Sequence, residues 1–362
     1  LRLPSALHHR AAEHLRRVTS PLHTGDFDYQ LPPDRIAQTP LPDRSASRLM
    51  VVDRATGSVA HRHFIDLPSL VEPTDIVVLN ASRVIPARLH GTREAGSAAE
   101  ILLVRDLGDG TWEAMVHPGG KLKPGRRVTF GPDSAVEIVE VLGGGLRRVR
   151  FGGTLDARAT LAKYGEVPLP PYITRSPDPA DRERYQTVYA AHDGSVAAPT
   201  AGLHFTPEVL LALRERGASI VTLDLHVGPG TFKPVEVDDP AAHVMHPEVF
   251  AVSRETADEI NARRAAGGRI WAVGTTVVRT LETVADDAGR VHPGAGETRA
   301  FIRPPYRFKA VDRMVTNFHL PRSTLLMLVC AFGGVDHVLA AYRTAIAEGY
   351  RFYSYGDAMV IL

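Results

Sequence analysis

Residues 253–285 read SRETADEINARRAAGGRIWAVGTTVVRTLETVA, and this stretch decides the fold. Ser253–Ala266 is helical in character, and Gly267-Gly268 ends it. Arg269–Val273 is a short apolar strand, and a second helix runs on from Gly274 through Ala285. Helix, strand and helix in such close succession are the repeating unit of a largely parallel α/β sheet.

The same alternation extends outward. Thr206-Pro207-Glu208 supplies a cap, a proline at the first helical position and an acid in the first turn, and that helix closes at Gly217. Ile220–Leu225 is the strand after it. Further on come a strand at Met314–Phe318, a helix capped by Ser323 and running to Phe332, and a last helix at Val335–Ala347. Tyr350–Tyr355 and Ala358–Leu362 read as two closing strands. On the other side, Phe27 to Asn80 mixes extended pieces with turns and ends in the strand Asp75–Asn80.

Between Ser82 and Gly152 the helical period vanishes. Six short strand candidates replace it: Ala87–Gly91, Ala99–Leu107, Thr111–His117, Arg126–Phe130, Ala135–Leu142 and Leu146–Phe151. Asp109-Gly110 between two alternating runs is a hairpin signal. Six short antiparallel strands in so few residues close into a small barrel. Thr154–Tyr164 then reads as a helix stopped by Gly165, and Pro168-Leu169-Pro170-Pro171-Tyr172 must be extended. The expected organisation is an α/β fold with a mainly parallel sheet, built from 25–81 and 153–362, carrying an inserted small antiparallel β-barrel at 82–152. Residues 1–24 read as a poorly ordered extension with some helical character at Ala11–Val18.

Composition places the chain among ordinary globular proteins: 44% hydrophobic and 23% charged residues over 362 positions, with a net charge of +1. That charge neither demands nor excludes a nucleic-acid partner, because a local basic patch can sit inside a neutral total. The single cysteine, Cys330, excludes an intrachain disulfide and a cysteine-based metal site. It lies in the apolar run Leu325–Phe332, which favours an inert core thiol and is too short to cross a bilayer. The first two dozen residues carry arginines and no apolar stretch, unlike a signal peptide. A cytoplasmic enzyme with no membrane association, a monomer, is the expectation.

Five loops at strand ends concentrate Gly, Thr, His and Asn. Val273-Gly274-Thr275-Thr276-Val277-Val278-Arg279 joins a strand to a helix start. It suits either an anion seat with Arg279 beside it or an ordinary helix capped by threonine hydroxyls. Leu225-His226-Val227-Gly228-Pro229-Gly230-Thr231-Phe232-Lys233 brings a base and an aromatic face to a loop whose glycines admit a ligand closely. Ala197–Phe205, Thr316–Pro321 and Tyr353–Asp357 complete the set. Familiar short motifs are missing. No G-x-G-x-x-G links strand to helix, Gly119-Gly120-Lys121 lacks the other residues of a P-loop, and no G-x-S-x-G elbow occurs. His243, His246 and Glu248 could offer two imidazoles and a carboxylate to a metal, but Pro247 breaks any helix there; no metal is expected. His61 and His63 read as surface residues.

At these loops the chain strongly resembles the S-adenosylmethionine:tRNA ribosyltransferase-isomerase family of queuosine biosynthesis. The resemblance runs from about Phe27 to Leu362. It is carried by FDYQLPPDRIAQTPLPDRSASRLMVVD, NASRVIPARLHG, PLPPYI, RYQTVYA, VAAPTAGLHFT, LHVGPGTFKPV, HVMHPE, AVGTTVVRTLE, VTNFHLPRSTLLMLV and YRFYSYGDAM. Departures from the family pattern stand at Ala81-Ser82, Arg303 and Pro305. The resemblance implies an α/β part with an inserted barrel. It also implies transfer of the ribosyl moiety of S-adenosylmethionine to 7-aminomethyl-7-deazaguanine at the tRNA wobble position. Epoxyqueuosine-tRNA forms, adenine and methionine leave, and no permanently bound cofactor is involved. The alternatives are the same chemistry on a free nucleoside, or a non-catalytic RNA-binding homologue.

Such a reaction needs two or three acid/base groups, because the sulfonium acidifies the ribose C5′ hydrogens, the attacking amine must lose a proton and adenine must depart. His204, His226, His319 and Asp357 are the candidates. Gly228, Thr231, Phe232, Gly274, Thr275, Thr276 and Arg279 are candidates for holding S-adenosylmethionine, with the methionine carboxylate at the Gly274–Arg279 helix start and Phe205 or Phe232 stacked on adenine. Arg44, Arg48, Arg83, Arg88, Thr200, Phe205, Asn317 and Tyr355 are candidate contacts to the tRNA anticodon stem-loop and its aminomethyl-deazaguanine base. Lys121, Lys123, Arg126 and Arg127 on the insert either join them or form a solvated face.

Overall fold

The computed structural model describes residues 22–232 and 234–362, without the side chains of Pro229 and Phe232. The helix expected at Ala11–Val18 lies outside the described residues. A nine-stranded sheet forms the centre of the α/β part. Its four middle strands, Ser219–Leu225, Ile76–Asn80, Ile270–Val273 and Arg313–Asn317, are parallel. Antiparallel partners flank them. Glu248–Val252 and Gly294–Thr298 extend one edge. Ala358–Ile361 runs against Arg313–Asn317 on the other side, followed by Arg48–Val52 and Val59–His63. The sheet is therefore mixed, parallel only at its middle and at the Arg48–Val52/Ala358–Ile361 pair, where the sequence pattern alone reads mainly parallel.

Burial explains the middle. Ile76–Asn80 and Ile270–Val273 are buried at every position, as strands covered on both faces must be. One face packs against Thr324–Gly333, Val335–Ala347 and Thr275–Val284, and the other against Phe64, Phe205 and the helix Pro207–Glu215. Asp75 pins the entry to the first central strand. Its carboxylate accepts from Trp271 Nε1 at 2.7 Å, Arg269 N at 2.8 Å and Glu72 N at 3.0 Å.

Local capping follows the sequence closely. Thr206 Oγ1, Ser253 Oγ and Ser323 Oγ each accept from the third backbone N–H of their helix. Thr275–Val284 is the exception, since Gly274 rather than a threonine occupies its cap position, with φ of 93° and no side-chain cap. Tyr350–Tyr355 is not a strand. Phe352 makes one isolated bridge to Ile36, and Tyr353 turns the chain with φ of 71°. The aromatic composition that suggests a strand instead fills the core around Phe318 and Tyr342.

The insert closes as a barrel. Arg88–Arg93, Ala98–Asp106, Thr111–His117, Leu146–Gly153, Ser134–Val141 and Arg127–Thr129 pair in that order, and Arg88–Arg93 meets Arg127–Thr129 to complete the ring. Leu89, Ile101, Leu103, Ala114, Val128, Val136, Ile138 and Val149 fill its interior. The preceding strand, Ser82–Val84, pairs with His192–Ser195 outside the barrel. Among the described residues no single helix is long and apolar enough to cross a membrane.

Candidate active site

The four middle strands end together at Leu225, Asn80, Val273 and Asn317, where an open α/β sheet places its ligands. Asn80 fixes this edge. Its Nδ2 donates to Leu225 O at 2.9 Å, while Oδ1 accepts from Ser82 N and Leu225 N. A cavity of about 1370 Å³ lies between these strand ends and the barrel wall. Arg105, Trp112, Met115 and Phe151 face it from the barrel, and His226, Gly228, Thr231, Glu248 and Arg279 from the sheet side. Arg105 ties the two walls together. It makes a paired contact with Glu113 of the barrel and a 2.6 Å ion pair with Glu297 at the sheet edge.

A second, narrow cavity of about 50 Å³ adjoins the first and shares Thr231 and Leu325 with it. Thr200, Gly274, Thr275, Thr276, Asn317 and His319 line it. Thr276 Oγ1 and Asn317 Oδ1 are buried there without a hydrogen-bond partner. Asn317 Nδ2 is occupied, donating to His204 Nε2 and Tyr353 O, both at 3.1 Å, so the amide orientation is determined and its carbonyl oxygen is left unpaired. The helix Thr275–Val284 adds the unpaired N–H groups of its first turn at this point.

The three candidate histidines separate sharply. His226 is half-buried at the large cavity, its Nδ1 enclosed without a partner, and burial lowers its pKa below the usual 6.5 against the pull of Asp224. His319 lines the small cavity, with Nε2 2.7 Å from Thr316 Oγ1, and burial lowers its pKa to about 3. His204 reaches neither cavity. Because Asn317 Nδ2 donates to Nε2, the proton resides on Nδ1 and is given to Ser47 Oγ at 2.7 Å. Burial, with Arg44 and Arg351 nearby, lowers its pKa to about 3. All three imidazoles are neutral at physiological pH, but burial makes His204 and His319 very weak proton acceptors, so His226 is the one of the three suited to take a proton.

Several sequence candidates sit elsewhere. Asp357 braces the start of the strand Arg48–Val52, its two oxygens accepting from Arg48 N at 2.9 Å and Arg351 N at 2.8 Å. Burial raises its pKa, but neither oxygen faces a cavity. Phe205 is fully buried between Phe64 and Tyr189, so it cannot stack on a ligand base. Tyr355 is buried and donates to Asp181, which Arg175 also holds. Arg44 and Arg48 are partly committed to backbone carbonyls: Leu203 and Glu183 for Arg44, Glu348 for Arg48. Arg83 reaches Ala190 O and Arg88 pairs with Glu100. None of these four arginines lines either cavity. Phe232 cannot be placed, as its side chain lies outside those described. Glu248, read in the sequence only beside His243 and His246, is instead the partner of Arg279. No group of metal-ligating side chains occurs among the described residues.

A glycine-lined cavity at the carboxyl ends of a parallel strand cluster, with neutral imidazoles at its walls, is where α/β enzymes bind their ligands. Comparison narrows that class. A family model described as "Queuosine biosynthesis protein" matches residues 24–361. The S-adenosylmethionine:tRNA ribosyltransferase-isomerase of Symbiobacterium thermophilum is 54% identical over 345 residues, 94% of this chain and 100% of that one. Its namesake from Thermus thermophilus is 53% identical, covering 93% of this chain and 98% of that one. A crystal structure titled S-adenosylmethionine tRNA ribosyltransferase from Thermotoga maritima is 40% identical, with a TM-score of 0.54 over 93% of this chain and 100% of that one. The chain belongs to this queuosine biosynthesis family of ribosyltransferase-isomerases.

Proposed function

We propose that the chain transfers and isomerises the ribosyl moiety of S-adenosylmethionine onto 7-aminomethyl-7-deazaguanine at the wobble position of a tRNA anticodon stem-loop. Epoxyqueuosine-tRNA is the product, and adenine and methionine are released. The observation that carries this reading is the pair of joined cavities at the strand ends, where His226 lines the larger one as a neutral base and His319 lines the smaller one. S-adenosylmethionine is a co-substrate here, and the reading calls for no resident cofactor.

The small cavity fits the amino-acid end of the ligand. A carboxylate meets the first-turn N–H groups at Thr275 and Thr276, and the ammonium meets the unpaired Asn317 carbonyl. The nucleoside then extends past Thr231 into the large cavity, beside His226. There the imidazole can remove a C5′ proton acidified by the sulfonium. Its lowered pKa keeps it unprotonated at neutral pH. The anticodon loop enters from the open side, between the barrel wall and residues 242–249. This divides the work between a catalytic part at 25–81 and 153–362 and a barrel at 82–152, in a monomer acting in the cytoplasm.

Incubation with S-adenosylmethionine and tRNA bearing the aminomethyl-deazaguanine base, followed by chromatography of free adenine, tests the reading. Adenine release that depends on that tRNA is the expected result. Release with the free nucleoside but not with the tRNA would overturn the tRNA assignment. No release with either would leave a non-catalytic homologue.

A further inference from the structure

Glu248 and Arg279 form a buried pair at the wall of the large cavity, 8% and 5% exposed. Glu248 opens the strand Glu248–Val252, second from the sheet edge, and Arg279 lies in the second turn of Thr275–Val284. One carboxylate oxygen accepts from Arg279 Nη1, and the other from Gly228 N at 3.3 Å. Arg279 Nε donates to Ala300 O at 3.0 Å. The guanidinium is thus held on two sides, while its Nη2 remains buried without a partner. A buried donor left unpaired carries a desolvation penalty that a native fold normally avoids. Here it lies on a residue that lines the cavity, where a ligand atom can complete it.

The charge balance specifies that atom. A carboxylate or phosphate approaching Nη2 would gain from the guanidinium but be repelled by the adjoining Glu248 carboxylate. An uncharged acceptor, such as a purine ring nitrogen or exocyclic oxygen, takes the hydrogen bond without that opposition. We propose that Glu248 is a positioning residue that holds Arg279 as a charge-compensated donor for an uncharged acceptor on the adenine ring of the co-substrate. This rests on the reading that S-adenosylmethionine occupies the cavity. It moves the ligand's carboxylate away from Arg279 and leaves it at the helix start.

The test compares dissociation constants for S-adenosylmethionine and its decarboxylated analogue by calorimetry. Arg279→Lys keeps the ion pair with Glu248 but loses the second donor. It should weaken both ligands about equally, roughly tenfold, the worth of one good hydrogen bond to a charged group. A loss confined to the carboxylate-bearing ligand, or no loss for either, overturns the proposal. Glu248→Gln leaves Arg279 uncompensated and should raise the preference for the carboxylate-bearing ligand over its analogue, a change that a purely structural role would not produce. If that variant fails to fold, Arg279→Lys still decides. Gly228→Leu separates the underlying reading, since Gly228 lines the cavity and a Cβ there meets no neighbouring atom within 4 Å, which leaves a larger side chain room to occupy ligand space. Unchanged binding in Gly228→Leu would show that the ligand sits elsewhere. Abolished binding there together with a wild-type Arg279→Lys would leave the cavity in place and refute the pair's role.

Discussion

Lowering the pH from 7 to 5 should weaken the fold substantially, and His204 should account for a measurable share. The folded-state pKa of His204 is lowered to about 3 from 6.5, first by burial and then by Arg44 and Arg351. A proton on Nε2 would also face the Asn317 amide that now donates to it. The unfolded chain therefore binds more protons than the folded one in this range. The stabilising contribution is full above pH 6.5 and is lost progressively as pH falls toward 3. At pH 5 an unfolded imidazole of pKa 6.5 gains about 2 kcal/mol from protonation that the buried one does not. His319, with the same folded value, brings the sum to about 4 kcal/mol. That is a large part of a typical stability of about 5–15 kcal/mol. Burial of His226 and His243 acts in the same direction. Urea unfolding at pH 7 and pH 5 measures the difference directly. His204→Gln, which keeps a donor and an acceptor but cannot titrate, should lose about 2 kcal/mol of this pH-dependent difference, whatever its stability at pH 7. An unchanged pH dependence in His204→Gln would refute the assignment of His204 as a buried neutral imidazole.

Three further outcomes follow from the same contacts. His226→Ala should lower the rate of adenine release by about 10²–10⁴-fold, the usual worth of a positioned base, and abolish the loss of activity on the acid side of its pKa, which lies below 6.5; melting curves should change little, because the side chain is only half-buried. The Arg105–Glu297 contact across the cavity mouth should show a coupling energy below about 1 kcal/mol in a double-mutant cycle of thermal melts, because its side chains are 35% and 44% exposed. Asp75→Ala leaves Trp271 Nε1 and two backbone N–H groups without their acceptor and should cost about 3 kcal/mol or more in urea unfolding.

Local signals in the sequence translate faithfully into structure, and long-range ones do not. Thr111–His117 is a strand over the expected residues because its alternation and the preceding Asp109-Gly110 turn are both local. The same holds for the caps Thr206 and Ser323. Tyr350–Tyr355 misleads because aromatic residues favour strands in general, whereas here a left-handed Tyr353 and tertiary packing around Phe318 decide. The glycine, threonine and histidine loops mark the right edge of the sheet. Burial then divides them in a way that no loop sequence reveals: adjacent His204 and Phe205 both turn into the core, while His226 and Thr231 line the large cavity. Arg279 is visible as an arginine near a helix start, but its carboxylate partner comes from a separate strand, Glu248–Val252. The barrel residues Arg105 and Trp112 look like ordinary strand positions until the insert is placed against the sheet.

The residues that miss the cavities still shape them. Asn317 is the junction: its single amide group donates to His204, and to Tyr353 O at 3.1 Å and Asp357 O at 3.4 Å. His204 is in turn fixed by Ser47, and Asp357 by two backbone N–H groups. Every contact constrains the nitrogen side of Asn317, and none satisfies its oxygen. The consequence is one carbonyl acceptor of fixed direction beside a helix start rich in N–H donors, a combination that complements an ammonium and a carboxylate on the same carbon. His204 and Asp357, selected in the sequence as acid/base groups, both touch Asn317, and on the proposed reading they act on ligand binding through it. Their loss should raise the concentration of S-adenosylmethionine needed for half-maximal rate more than it lowers the maximal rate, and His226→Ala should do the opposite.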